Sequence, residues 1–242
     1  MDKTSLLYWF PIIKHLPIPM PKTKWVEIPY EVFCEYIDSI DTKKMPRIVD
    51  YTEQIKFKAR RIGYPLFLRT DMASGKHSWN KSCYVEKEED LFGHIWQVVE
   101  FNFIADVFGL EPNALVFREF IPMASRFTAF WGKLPINPER RYFIRDGVVE
   151  CHHPYWTEDA IDKSYPSPDV KDWRHLLRLM NEESGSEIGL LTGCALRVAK
   201  LLPGYWSVDF CRALDGRWIL IDLAEGNRSW HPECPKNIRR IK

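Results

Sequence analysis

Apolar positions along the 242-residue chain recur with two spacings, which predict helices and strands in a mixed α+β fold. Spacings of three and four residues, with acidic residues at the start, predict a long helix over residues 88–108. Other stretches with helical spacing are residues 30–39, 51–62, 171–182 and 187–202. Runs rich in aromatic and β-branched residues predict strands over residues 65–69, 83–85, 113–121, 126–133, 141–144, 148–152, 205–213 and 218–223.

The first 29 residues contain five prolines, and because proline disrupts helix interiors this segment is predicted to be extended. Residues 47–49 are predicted to form a brief strand. Residues 70–81 are polar, contain Gly75 and lie between two predicted strands, which is typical of a mobile loop that closes over a ligand. The apolar run over residues 6–13 is too short to span a bilayer, so no membrane association is expected.

The last two predicted strands are joined by a turn containing Asp215 and Gly216, so they are predicted to form a hairpin. Asp209 and Asp222, 13 residues apart, then lie at similar depth on neighbouring strands, with Glu225 just beyond the second strand. Each aspartate interrupts an apolar run, where an unpaired carboxylate is costly. Three such oxygen donors suit Mg²⁺ bound together with nucleotide phosphates. The alternative is that the aspartates are hairpin acids that face solvent.

Basic residues near two other predicted strands are candidates for contacts with a nucleotide. Arg69 ends a strand and Lys76 lies in the loop behind it, so the two could hold phosphates; the alternative is a solvated loop. The loop lacks the GxxxxGK[ST] pattern, which excludes a P-loop. Arg118 and Glu119 are charged residues within an apolar strand and indicate an edge where a base could dock.

Arg141 is the candidate for stabilising a transferring phosphoryl group. It lies two residues after Glu139 in a predicted strand, so both side chains are expected on one face, where they could instead form a structural ion pair. Ser207 and the cysteines have no base at motif spacing, so the sequence gives no support for nucleophilic catalysis.

Composition bounds the compartment and the partners. The 34 basic and 33 acidic residues leave a net charge of +1, which predicts no bulk attraction to nucleic acid or membrane. Six cysteines are spread along the chain without a CxxC pair, which favours reduced thiols and a cytoplasmic location. Cys151 with His152 and His153, and His231 with Cys234, contain soft metal ligands, but neither group has the paired spacing of a closed zinc site.

Four segments, in this order, resemble the ATP-grasp superfamily between Pro65 and Asn227: FLRTDMASGKHSW, LVFREFI, ERRYFIRDG and VDFCRALDGRWILID. The chain is most similar to a small, divergent branch that includes phage-encoded ATP-grasp ligases and the eukaryotic cell-division-cycle chaperones that assemble a translation initiation factor. In that branch an arginine also occupies the position of Arg118 in the hinge strand. The resemblance implies two α+β lobes with antiparallel sheets that clamp a nucleotide. It also implies a reduced N-terminal region (residues 1–64), an N-lobe (65–115) and a C-lobe (116–242).

The resemblance further implies ATP and Mg²⁺ as cofactors and a role for each candidate residue. Arg69 and Lys76 would contact phosphates, and Glu119 and Ile121 would meet the adenine through backbone groups. The full set implied is Arg69, Lys76, Arg118, Glu119, Phe120 and Ile121 at ATP, Asp209, Asp222 and Glu225 at Mg²⁺, and Arg141 with Lys76 at the reacting groups. Family enzymes phosphorylate a carboxylate and pass the acylphosphate to an amine or similar nucleophile.

Three departures from the family pattern leave two functions open. Arg69 replaces a frequent lysine, Ser207 a frequent arginine and Ala224 a frequent asparagine. The first function is an ATP- and Mg²⁺-dependent ligase whose substrates could be a peptide, a protein or a modified nucleotide. The second is an ATP-binding assembly chaperone or adaptor that forms no bond. Ser207 favours the chaperone, whereas Arg141 and Glu225 favour the ligase.

Overall fold

The computed structural model describes residues 2–42, 45–106 and 109–231. Two compact units make up this part of the chain. The N-terminal unit comprises residues 21–121 and 130–134, and the C-terminal unit comprises the residues up to 20, 122–129 and those from 135 onwards. The three-part division expected from the sequence remains a proposal beside this description.

The N-terminal unit is a four-stranded antiparallel sheet with helices on one face. Its elements are β1 (Thr23–Glu27), α2 (Tyr30–Thr42), α3 (Thr52–Ile62), β2 (Leu66–Thr70), β3 (Tyr84–Val85), α4 (Leu91–Asp106) and β4 (Ala114–Glu119). The strand order is β1-β4-β2-β3. Leu66 and Leu68 of β2 and Leu115 and Phe117 of β4 alternate along their strands and are fully buried in the core beneath the helices.

The end of α3 shows how the sequence positions β2. Gly63 follows the helix with φ of 92°, a conformation that favours glycine, and its N–H donates to the carbonyl of Ala59. The chain therefore leaves the helix at Gly63 and enters β2 at Leu66, which places Arg69 inside the sheet.

The C-terminal unit contains a second four-stranded antiparallel sheet. Its elements are α1 (Leu6–Ile13), β5 (Phe127–Ala129), β6 (Leu134–Ile136), β7 (Glu139–Arg145), β8 (Val148–Pro154), α5 (Glu158–Asp162), α6 (Trp173–Asn181), α7 (Gly185–Ala199), β9 (Tyr205–Arg212) and β10 (Trp218–Glu225). The sheet order is β10-β9-β7-β8, whereas β5 and β6 pair only with each other, and Leu134 of β6 is grouped with the N-terminal unit. The N-cap Ser184 accepts a hydrogen bond from the N–H of Glu187 and starts α7, which packs on β7 and β8.

Three predictions of local structure are wrong. The first 29 residues are not all extended, because α1 forms despite Pro11; Ser5 caps it, and its buried apolar residues compensate for the lost backbone hydrogen bond. Residues 47–49 lie in a 3₁₀ turn, Arg47–Tyr51. Residues 126–133 do not form one strand, because Phe130 has a positive φ and the chain turns back there from β5 to β6.

The remaining predicted helices and strands are confirmed within a few residues at each end. The long helix begins later than expected, at Leu91, after a 3₁₀ turn over Glu88–Asp90. Its expected end at residues 107–108 lies outside the described residues. Among the helices of the described residues, none combines the length and the apolar character needed to cross a membrane.

Candidate functional site

The acidic hairpin of the C-terminal unit places three charged residues in one row across three strands. Asp209 of β9 lies directly opposite Asp222 of β10 on one side and Arg141 of β7 on the other. Cross-strand partners share a face of the sheet, so all three side chains lie on the same face. The predicted pairing of Asp209 with Asp222 is confirmed.

A β-bulge in β10 produces this pairing. Leu220 pairs with Phe210, but the next partner of β9, Asp209, faces Asp222 because the register shifts at Ile221. A regular ladder would place Ile221 opposite Asp209 and would turn Asp222 to the other face. The extra residue therefore aims Asp222 at the row, as bulges near functional sites often do.

Arg141 is held firmly within the row. Its Nε and one terminal nitrogen donate to the two oxygens of Asp209 at 2.8 and 2.7 Å, and its other terminal nitrogen donates to the carbonyl of Trp230 at 3.2 Å. Burial acts to lower the pKa of Arg141, but the charges of Asp209 and Asp222 outweigh it, and the pKa is raised. The guanidinium therefore stays charged beside the two carboxylates.

Glu225 is placed differently from the two aspartates. It is the last residue of β10, opposite Trp206, and it is three positions from Asp222, so strand alternation puts it on the other face. Its carboxylate lies 3.8 Å from the guanidinium of Arg228. The pair Asp209 and Asp222 is thus brought together by the sheet, and a role for Glu225 at a metal stays a prediction.

Residues 229–231, which we call the crossing segment, run over the same face of the sheet. The hydroxyl of Ser229 lies 2.7 Å from that of Ser207 on β9, and the carbonyl of Trp230 meets Arg141 on β7. His231 then reaches Cys151 on β8, with 3.0 Å between Nε2 and Sγ. The segment therefore passes over β9, β7 and β8 in turn.

A close approach at Gly226 lets the chain turn into the crossing segment. A Cβ at position 226 would lie 2.4 Å from the ring of Tyr205, which is too close for any side chain. The ring has little room to move, since it stacks on Phe143 and lies 3.9 Å from the guanidinium carbon of Arg145. Only glycine fits this turn.

Cys151, His153 and His231 form a cluster beside the charged row. Their ligand atoms all lie within 4.8 Å of one another. His153 is the cross-strand partner of Arg141, so the cluster and the row share a face. Burial first, and then the neighbouring His231 and His152, lower the pKa of His153 to about 4. Cys234, which the sequence associates with His231, lies outside the described residues.

In the N-terminal unit, Arg69 and Arg118 share the face of the sheet that is opposite the helices. Arg69 pairs with Val116 and Arg118 pairs with Phe67 on the neighbouring strands, which places both arginines on that face. They are only 4% and 3% exposed. The Nε of Arg69 donates to the carbonyl of Thr70, and this face therefore carries two buried positive charges.

The sequence analysis missed an aromatic group on this face. Phe67 and Tyr84 are cross-strand partners, and Trp79 packs on both of them. Phe120, which was predicted, completes the group with its ring 5.0 Å from that of Tyr84. Pairing β2 with β3 in register would have predicted the contact between Phe67 and Tyr84.

The other predicted nucleotide residues of this unit follow β4 or lie in the loop after β2. Glu119 ends β4, and its carboxylate accepts a hydrogen bond from the N–H of Lys22. Ile121 lies two residues further on. Lys76 begins a 3₁₀ turn immediately after Gly75, whose φ is 60°. These residues remain predictions for nucleotide binding.

The loop that carries Lys76 is held by backbone contacts. Gly132 donates to the carbonyl of His77 and accepts from the N–H of Asn80. A Cβ at Gly132 would lie 2.2 Å from the backbone nitrogen of Trp79, so the two backbones pack directly. The rings of His77 and Phe130 also stack, with centroids 4.3 Å apart. The loop is therefore positioned, and its predicted mobility remains a prediction.

Solved structures with low sequence identity share this fold. Cdc123 from Schizosaccharomyces pombe is 14% identical, with 92% of this chain and 83% of that chain covered and a TM-score of 0.56. The VanG D-Ala:D-Ser ligase from Enterococcus faecalis is 11% identical, with 92% and 52% covered and a TM-score of 0.52. A RimK domain ATP-grasp protein from Sphaerobacter thermophilus is 14% identical, with 92% and 58% covered and a TM-score of 0.47. The chain thus spans little more than half of the last two proteins.

Sequence comparison identifies the family. No curated protein matches the chain. The family model that describes an ATP-grasp domain, the third family of its clade, matches residues 41–241, which is most of the chain. The two antiparallel sheets and the ATP-grasp fold of the structural relatives agree with this match. The chain therefore belongs to this third clade family of ATP-grasp domains.

Proposed function

We propose that this protein is an ATP- and Mg²⁺-dependent ligase that activates a carboxylate as an acylphosphate and joins it to an amine or similar nucleophile. The observation that carries the proposal is the row of Arg141, Asp209 and Asp222. Two carboxylates directly opposite each other on neighbouring strands repel, and such a pair is favourable only beside positive charge. Arg141 supplies part of that charge, and a divalent cation is the natural source of the rest.

The donor set fits Mg²⁺. Asp209 and Asp222 offer hard oxygen atoms, and Mg²⁺ takes one or two protein carboxylates together with waters and substrate phosphates. Although both oxygens of Asp209 accept from Arg141, each carboxylate oxygen has a second lone pair. Asp222 is half-buried, which leaves it accessible to a ligand. When bound, the cation would neutralise the phosphate charge and orient the phosphates.

The protein's own residues would then position the substrates. The buried pair Arg69 and Arg118, with Lys76 from the loop, would hold the triphosphate. The backbone of Glu119 and Ile121 would bond the adenine, and Phe120 would pack near its ring.

In the first step a carboxylate oxygen attacks the γ-phosphorus and ADP leaves. In the second step the amine nitrogen attacks the acyl carbon, and phosphate leaves as the nitrogen loses a proton. Arg141 would stabilise the charge on the transferring phosphoryl group, because a guanidinium matches phosphate oxygens in geometry and charge.

The second candidate is an ATP-binding chaperone or adaptor that forms no bond. Ser207 favours it, because many ligases carry an arginine at this position, and here the serine hydroxyl is engaged with Ser229. The fold shared with Cdc123 over most of both chains is consistent with either candidate.

The two candidates differ in ADP release. We expect ADP and phosphate release from ATP to depend on added acceptors when pooled carboxylates and amines are supplied. Tight ATP binding with no turnover in any pool would instead support the chaperone.

The metal assignment is tested by Asp222→Asn. We expect Mg²⁺-dependent ATP binding to weaken by about 100-fold or more, since metal neutralisation contributes several kcal/mol. Asp215→Asn is the matched control, because Asp215 lies in the turn of the same hairpin and bonds only the neighbouring Arg217 among the contacts described. Isothermal titration with ATP and Mg²⁺ measures both. Full ATP binding by Asp222→Asn would disprove the assignment.

A further inference from the structure

We propose that Cys151, His153 and His231 form a second metal site, which takes a soft or borderline transition-metal ion such as Zn²⁺ and is separate from the proposed Mg²⁺ site. The ligand atoms of the three residues lie within 4.8 Å of one another. The proposal does not depend on ligase activity, because none of the three residues belongs to the proposed nucleotide site.

The sheet fixes two of the three ligands. Cys151 and His153 are two residues apart on β8, so both side chains point to the same face. Their partners on β7 are Phe143 and Arg141, which hold the strand in register on either side of the cluster. This spacing of i and i+2 on one strand presents a thiol and an imidazole without any change of the backbone.

The crossing segment supplies the third ligand. The ring of His231 meets the ring of Phe143 edge-on with centroids 4.1 Å apart, which orients the imidazole over the sheet. Its Nε2 lies 3.0 Å from the Sγ of Cys151. Residues 80 positions apart in the sequence are thus brought into direct contact.

The geometry is close to that of a metal-bound site. With metal–sulfur and metal–nitrogen bonds of about 2.3 and 2.0 Å, tetrahedral ligands lie about 3.3–3.6 Å apart. The distance of 3.0 Å between Cys151 and His231 is near this value, so binding requires a shift of about half an ångström.

The donor types select the ion. A thiolate with two imidazoles favours Zn²⁺ and related ions, whereas Mg²⁺ requires oxygen ligands. Three protein ligands leave a fourth tetrahedral position for water or another group. Cys151 is buried and His231 is exposed, so the site would be reached from the solvent side of His231.

Titration of the reduced, full-length protein with Co²⁺ tests the proposal. We expect one Co²⁺ per chain, with the visible absorption of a tetrahedral ion and a near-ultraviolet thiolate-to-cobalt charge-transfer band. Zn²⁺ should displace the Co²⁺, and excess Mg²⁺ should not. Absence of the charge-transfer band in the wild-type protein would overturn the proposal, whatever the variants show.

Matched variants identify the ligands. Cys151→Ser and His153→Gln should weaken Zn²⁺ binding by at least about 100-fold, beyond the effect typical of losing an outer-shell partner. The controls are Cys194→Ser and His152→Gln; His152 precedes His153 but pairs with Glu183 on the other face. Asp222→Asn should leave Co²⁺ binding unchanged, which separates this proposal from the proposed function. A charge-transfer band that persists in Cys151→Ser would show that another cysteine binds the ion and would disprove the site.

Discussion

Arg140 and Arg141 are adjacent on β7, yet they lie on opposite faces of the sheet and have different surroundings. Arg140 is 1% exposed, with its Nε 3.1 Å from Glu183 and 2.8 Å from Glu187. It also donates to the carbonyls of Met180 and Glu182 at the end of α6. Arg141 is 13% exposed and binds Asp209 in the row that contains Asp222.

The difference teaches that the covering of each face decides what an arginine does. Helices α6 and α7 supply the groups around Arg140, so its charge is consumed in fixing the helices to the sheet. On the other face, the crossing segment covers only part of the sheet and Asp222 stays half-buried. The positive charge of Arg141 is therefore available beside a surface that a ligand can reach.

Removal of Arg140 should give the largest effect, and it should be on stability. Arg140→Met leaves Glu183 and Glu187 without their shared cation in a largely buried site, and breaking such a pair typically costs about 3–5 kcal/mol. We expect the free energy of unfolding in urea, without any ligand, to fall by this amount.

Arg145→Met is the control for this prediction. Arg145 lies on the same strand, but its side chain is 46% exposed in its pair with Glu150. The expected loss is about 1 kcal/mol or less. Equal losses for the two variants would contradict a structural role specific to Arg140.

Exchange of Ile221 and Asp222 should have the next largest effect, and it should be on ligand binding. The double variant Ile221→Asp/Asp222→Ile keeps the composition but moves the carboxylate into the bulge. Leu220 and Leu223 are buried on the core side, and they hold the bulge in place. We expect Mg²⁺-dependent ATP affinity to fall by about 100-fold, close to 2.7 kcal/mol.

Ile221→Asn, which keeps Asp222, is the matched control and should bind ATP as the wild type does. If the exchanged protein kept its affinity, the hairpin would have realigned into a regular ladder, and the bulge would have no role in the site.

The smallest effect is expected for Arg141→Lys. Lysine keeps the charge but cannot make the two parallel bonds to Asp209, so we expect about a tenfold loss of Mg²⁺-dependent ATP affinity and about 1 kcal/mol of unfolding free energy. Calorimetry and urea unfolding measure the two changes. An unchanged ATP affinity would place Arg141 with Arg140 among the structural arginines.

The sequence predicts most strands and helices because alternation and helical spacing are local signals. It does not predict α1, since burial of Trp9 and its neighbours outweighs the cost of Pro11 only in the folded protein. Nor does it predict the turn at Phe130, whose positive φ follows from the contacts of residues 130–134 and not from its residue type.

The candidate site is predicted in part for the same reason. The turn at Asp215 and Gly216 indicates which strands pair, but the bulge requires knowledge of the core. A signal was present, because Leu220 and Leu223 are three residues apart and a regular strand cannot bury both on one face. Nothing local distinguishes Arg140 from Arg141 or brings His231 to Cys151, because these contacts join distant parts of the chain.

Gly226 has a consequence that reaches beyond its own turn. A single methyl group there would strike the ring of Tyr205, and the backbone would have to lift. Trp230 and His231 lie only a few residues downstream and would be displaced with it. One small substitution would thus be expected to impair two chemistries that have no ligand residue in common.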